Sequence, residues 1–271
     1  MSEDEIVVFI ISGIAALVGT YWTKVSSLPR AFTEGNAGIG LLRLSVAASV
    51  LWTAYVIQFH GDPSIQGIYI WFYLVMAYAV VKVFGQISTL MFGLHLRSDV
   101  YERRNLAAAL FIAGFTLAVG VIFGGSLWGE ADPLSEDEGG YWIPLAFFVL
   151  GWAVLVVSTA LYLWREPGRF QRQIRQERET GAGWGAAVYM VMTATLIFRG
   201  VAGDFWGWQH GIFGLGTIAL MLVGHECILL AGARMSSKKT ARMIESAIYI
   251  LLAAAAWQLN QLVDRFYTGA L

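Results

Sequence analysis

The chain has 271 residues, of which 57% are hydrophobic and only 14% charged, and its mean hydropathy is +0.61; that balance is too apolar for a soluble domain. A net charge of −1 and a pI near 6.4 leave no basic surface large enough for nucleic acid. A single cysteine, Cys227, set within an apolar stretch, argues against a disulfide framework or a thiolate metal site.

The first residues, Met1 to Glu5, are acidic where a secretory signal carries a basic region, so the N-terminus is expected to be retained. Crossing a bilayer takes about 20 apolar residues for roughly 30 Å of hydrocarbon. Such stretches occur eight times, at 5–23, 38–59, 67–95, 106–127, 141–164, 184–203, 210–233 and 243–263. They are continuously apolar rather than alternating, so helices are expected, which also satisfy their own backbone groups in lipid. The third is the longest and is expected to tilt or to extend past the membrane boundary. Pro29, Pro63, Pro133 and Pro167 fall between spans, and Pro144 falls in a first turn, where its missing N–H costs little. The expected fold is therefore all-α: a polytopic integral membrane protein of about eight transmembrane helices arranged as repeated hairpins. Its first half covers 1–130, its second 141–271, and an arginine-rich loop occupies 165–182.

Fourteen of the eighteen Lys and Arg residues lie in four of the connections between spans: Lys24/Arg30, Arg97/Arg103/Arg104, Arg165 to Arg178, and Arg234 to Arg242. The positive-inside bias puts these connections in the cytoplasm. The alternate connections, with Asp62, Glu130 to Glu138 and Asp204, then face outward, as do both termini.

Each pair of spans crosses a basic connection and returns, so the chain reads as repeated hairpins. Two returning spans open alike, Glu34-Gly35-Asn36-Ala37-Gly38 and Arg103-Arg104-Asn105-Leu106-Ala107-Ala108-Ala109. The third, Gly183-Trp184-Gly185-Ala186-Ala187, keeps the small residues without the Asn. Small residues there permit close helix packing, and the Asn can cap the helix or hold a polar ligand. The segment Asp99 to Ala109 running into Gly114 to Gly125 resembles the bacterial domain-of-unknown-function 350 membrane proteins over about residues 5–130. That resemblance implies helical repeats and a bacterial inner-membrane location. Residues 141–263 depart from it, being either a diverged duplicate or an unrelated unit.

Ionisable groups inside the bilayer cost about 2.5–3.5 kcal/mol each on insertion scales and mark functional positions. Lys82 falls near the middle of the third span, with Gln86 one turn further on the same face. Arg43 lies about two turns into the second span, and His225 and Glu226 lie in the inner half of the seventh. These five residues are the expected lining of a pathway for an ion or small solute, with Glu226 able to pair with Lys82 or Arg43. A transporter or channel is the first functional reading, and no HExxH, GxSxG or phosphate-binding glycine loop points to an enzyme. No metal or other cofactor is expected under it.

The four histidines support a second reading. His60 and His210 end spans on the outer side, and His95 and His225 lie toward the inner side, so each pair could ligate a haem b for electron transfer. The third reading is a scaffold. Arg165, Arg169, Arg172, Arg175 and Arg178 recur at helical spacing, which predicts a short interfacial helix gripping anionic lipid or a soluble partner. Membrane lipids are expected partners in every case, and a homo-oligomer is compatible with all three.

Overall fold

A computed structural model describes residues 2–23, 35–129, 140–164, 172–202, 218–228 and 238–267, together with Phe170 and Gly216. Among the described residues every regular element is helical. The helices are α1 (Glu3–Trp22), α2 (Ala37–Phe59), α3 (Ile68–Val80), α4 (Leu106–Ser126), α5 (Trp142–Trp164), α6 (Thr180–Val201), α7 (Ile218–Ile228) and α8 (Lys238–Tyr267). Six runs are long and apolar enough to cross a membrane: α1, α2, α3 with its continuation to Phe92, α4, α5 and α6. The protein is thus an all-helical bundle of membrane-spanning composition. Within the described residues the apolar parts of α7 and α8 cover Ile218–Ile228 and Met243–Leu259.

α4 is the centre. In its most apolar window 78% of residues are buried, against 11% for α1. Its sequence explains this: Ala107, Ala108, Ala109, Gly114, Gly120, Gly124 and Gly125 give it a thin profile that neighbours can approach. A Cβ on Gly114 would stand 2.5 Å from the Ala187 Cα of α6, and one on Gly183 of α6 would collide with the Ala107 carbonyl. Gly120 meets Ser49 of α2 as closely. α2, α4, α6 and α8 therefore form a close-packed row, with α3, α5 and α7 laid against it and α1 packed on the third span. Large apolar side chains such as Leu17, Leu51 and Leu251 remain exposed on the outside.

The helix entries share a backbone device. Gly35 (φ 73°), Arg104 (φ 52°) and Arg178 (φ 53°) are left-handed and each immediately precedes an N-cap, Asn36, Asn105 and Glu179. Glycine takes this conformation freely, whereas an arginine there is uncommon and held by its surroundings. Short π-helical segments, Leu96–Glu102 and Arg172–Gln176, come just before the second and third entries. Asn105 caps α4 through Oδ1, which accepts from Ala107 N and Ala108 N, while its Nδ2 donates to Ile174 O at 2.6 Å. Asn36 makes no cap and instead donates to Val100 O at 3.0 Å. Asn105→Ala, which removes three bonds, is expected to cost about 2 kcal/mol, and Asn36→Ala about 1 kcal/mol. Thermal unfolding in detergent would give this order, and equal losses would refute it.

The third span is longer than α1, as its sequence predicts, but it is not one uniform helix. After Val80 the run continues as a π-helical turn, Val81–Gln86, and a 3₁₀ turn, Ile87–Phe92, ending at left-handed Gly93. α1 and α3 run side by side in the same direction. Tyr69 bonds Glu5 at 3.0 Å near their starts, and the Thr20 and Tyr78 hydroxyls meet at 2.7 Å further along. The π and 3₁₀ turns therefore carry the third span beyond the end of α1.

Candidate functional site

The polar side chains foreseen as one pathway lie in two clusters, one among α1, α2 and the third span and the other among α5, α6, α7 and α8.

Lys82 is at the π-helical turn, 4% exposed, with its stem against Gly19 of α1. Such turns are inserted irregularities that often mark functional sites. The ammonium donates to the Thr23 hydroxyl at 2.8 Å and to Gln86 Oε1 at 3.2 Å, and lies 5.7 Å from the centre of the Tyr78 ring. Lys82 and Gln86, expected on the same face, are thus in contact. Thr23 is fixed in turn, donating to Gly19 O and accepting from the Tyr101 hydroxyl through its carbonyl. Arg43 approaches the same place from α2 and hydrogen-bonds Tyr101. Burial raises the pKa of Tyr101, and the positive charge of Arg43 opposes that shift.

One expectation is corrected here. Among the described residues every partner of Lys82 is neutral, so it forms no pair with Glu226, which lies half-buried on α7. Lys82 falls near the middle of the Ile68–Phe92 run, as expected, and its ammonium is level with Thr23, the C-cap of α1, because the third span overshoots α1.

The second cluster gathers around His225, which is 4% exposed. Its Nδ1 lies 2.5 Å from the Tyr249 hydroxyl of α8, and that hydroxyl donates to Glu245 Oε1 at 3.1 Å, one turn back on the same helix. Tyr162 of α5 reaches the same carboxylate oxygen at 3.5 Å. The Tyr162 ring packs 4.2 Å from the His225 ring and 4.5 Å from that of Tyr189 on α6, whose hydroxyl meets Ser158 at 2.7 Å. Glu245 is 2% exposed and faces the open Cα of Gly185. Beside this cluster, Ala153, Val157, Ser158, Leu161, Ile218 and Leu222 line an apolar groove of about 330 Å³ between α5 and α7.

A third group joins the basic connections. Asp99 is fully buried; its Oδ1 accepts from Arg175 Nε at 3.2 Å and lies 3.6 Å from Arg103 NH1, while Oδ2 accepts the His95 backbone N–H at 2.9 Å. The expected exposed arginine stripe is therefore broken. Arg175 turns inward, Arg172 faces out and pairs with Glu177 at 3.2 Å, and Arg178 is exposed. The local helix is a five-residue π segment, which does not keep α-helical spacing on one face. Arg165 and Arg169 lie outside the described residues.

Of the histidines, His60 caps the end of α2 and stacks on Trp128 with ring centres 3.6 Å apart, and His95 is exposed before the Leu96–Glu102 segment. His210 lies outside the described residues. Among the described residues no three His, Cys, Asp or Glu side chains converge as a metal site. Arg199, near the opposite end of α6, sits over the Trp257 ring at 5.1 Å.

No family model, curated protein or solved structure matches this chain. Its chemistry must therefore be read from the side chains themselves. Thr23, Tyr101, Asp99, Tyr162 and Tyr249 escaped the sequence reading because each is an ordinary residue type set in no motif. Tyr249 alone carried a usable signal, standing four residues after Glu245 on one helix face.

Proposed function

We propose that the protein is an eight-helix inner-membrane transporter or channel for an ion or small solute, with its binding point at Lys82. The observation that carries this reading is a buried ammonium held, among the described residues, by a hydroxyl, an amide oxygen and an aromatic face. A cation enclosed by neutral ligands keeps most of its field available to an incoming anion or polar solute, which neutral ligands can yield to at little cost. The π-helical turn supplies an irregular backbone at that point, and Arg43 adds positive charge nearby. The left-handed residue before three N-caps supports a chain built from repeated hairpins, as the resemblance to the domain-of-unknown-function 350 proteins implies. Under this reading the basic connections face the cytoplasm and both termini lie outside.

Flux in proteoliposomes tests the assignment. Lys82→Met is expected to lower uptake of the transported species at least about tenfold, equivalent to roughly 1.4 kcal/mol at the site, with Thr23→Ala having a smaller effect. Unchanged flux of every halide, phosphate, carboxylate and alkali cation tried would refute it.

A further inference from the structure

Counting hydrogens along the second cluster shows that its bonds cannot all form with a bare carboxylate and an arbitrary histidine tautomer. Tyr249 has one hydroxyl hydrogen and two close partners, His225 Nδ1 at 2.5 Å and Glu245 Oε1 at 3.1 Å. If that hydrogen goes to Glu245, then Nδ1 must carry a proton and donate to the phenol oxygen. If it goes to Nδ1, then Glu245 must carry a proton and donate instead. Each pattern places a hydrogen on one end of the chain and requires a vacant acceptor at the other.

We infer that His225, Tyr249 and Glu245 form a buried proton-holding relay, a site distinct from Lys82 and independent of its role. With one proton bound in excess of neutral imidazole and carboxylate, the two patterns interconvert by paired steps. The Nδ1–H bond of the imidazolium breaks as an O–H bond forms on Tyr249; the former Tyr249 O–H breaks as one forms on Glu245 Oε1. Imidazolium and carboxylate become imidazole and carboxylic acid, the phenol is regenerated, and no redox partner is involved.

Among the described residues Tyr162 from α5 and Tyr249 from α8 hydrogen-bond Glu245, His225 from α7 meets Tyr249, and Tyr189 from α6 packs its ring on those of His225 and Tyr249. The three phenol rings exclude water, and the Tyr162 and Tyr249 hydroxyls stabilise the carboxylate. Gly185 leaves room for the carboxylate against α6, where a Cβ would come within 3.2 Å of Glu245 Oε2. The Tyr162 ring covers the His225 ring from the α5 side.

The test uses the full chain in detergent micelles, labelled with ¹⁵N-histidine and followed by NMR and by infrared difference spectroscopy as pH is changed. In the unmodified protein, the His225 ring signals and a protonated-carboxyl band are expected to change with common midpoints, because strongly coupled groups titrate as a pair. Glu245→Gln should remove that band and shift the His225 midpoint by roughly one pH unit or more, and Tyr249→Phe should leave band and ring titrating separately. A carboxyl band that persists in Glu245→Gln, or His225 and carboxyl midpoints that already differ in the unmodified protein, would overturn the relay. The second outcome needs no variant to fold, and neither depends on whether Lys82 binds a solute.

Discussion

Leucine at Gly114 or Gly183 is expected to be the most damaging single substitution in the membrane core. At Gly114 even a Cβ would stand 2.5 Å from the Ala187 Cα, and at Gly183 it would strike the Ala107 carbonyl. Both obstacles are backbone, so no rotamer change relieves them and α4 and α6 must separate. Overpacking of this kind costs about 3 kcal/mol, the upper end of its usual range, and here it acts along the interface on which the bundle is centred. Gly200→Ala is the control on the same helix, since nothing lies within 4 Å of its added carbon; a change below about 1 kcal/mol is expected there. Melting temperatures in detergent should fall sharply for the first two variants and hardly for the third. Similar behaviour in all three would show that α4 and α6 do not pack as described.

Removing the Asp99 carboxylate comes second. Asp99→Asn leaves the Arg175 guanidinium, only 28% exposed, without its anionic acceptor and weakens the tie to the His95 N–H. Breaking a buried pair costs about 3–5 kcal/mol, and the lower end applies because Arg103 and part of Arg175 reach solvent. Arg175→Gln alone should cost less. The double variant should be less harmed than the sum of the two, as expected for groups in direct contact. Strict additivity in that cycle would exclude the pair as a tie between the two basic connections.

How far the sequence could reach differs by element. Hydropathy located α1, α2, α4, α5 and α6 within a few residues, because lipid demands a long uninterrupted apolar helix and leaves few other solutions. It did not reveal that the third span changes from α to π to 3₁₀ at Lys82, since a shift in backbone hydrogen bonding leaves no periodic trace over six residues. The Lys82–Gln86 contact was legible because it is local. The Lys82–Thr23 bond was not, because it spans 59 residues and depends on how far α3 overshoots α1. Likewise His225 was visible as a costly residue, but matching depth alone drew it toward Lys82 when its neighbours are Tyr249 and Tyr162.

By itself the sequence determined a helical membrane protein, the positions of its principal spans and the small residues that thin α4. Those are set by solvation and by local sterics, which every stretch of chain feels on its own. Only the tertiary structure decided that the buried polar residues divide into a cationic cluster beside α1 and a histidine–tyrosine–glutamate cluster beside α8. That division depends on which helices become neighbours. Neighbour choice follows from the close approach of α4 to α2 and α6, a property of paired surfaces that no single span contains.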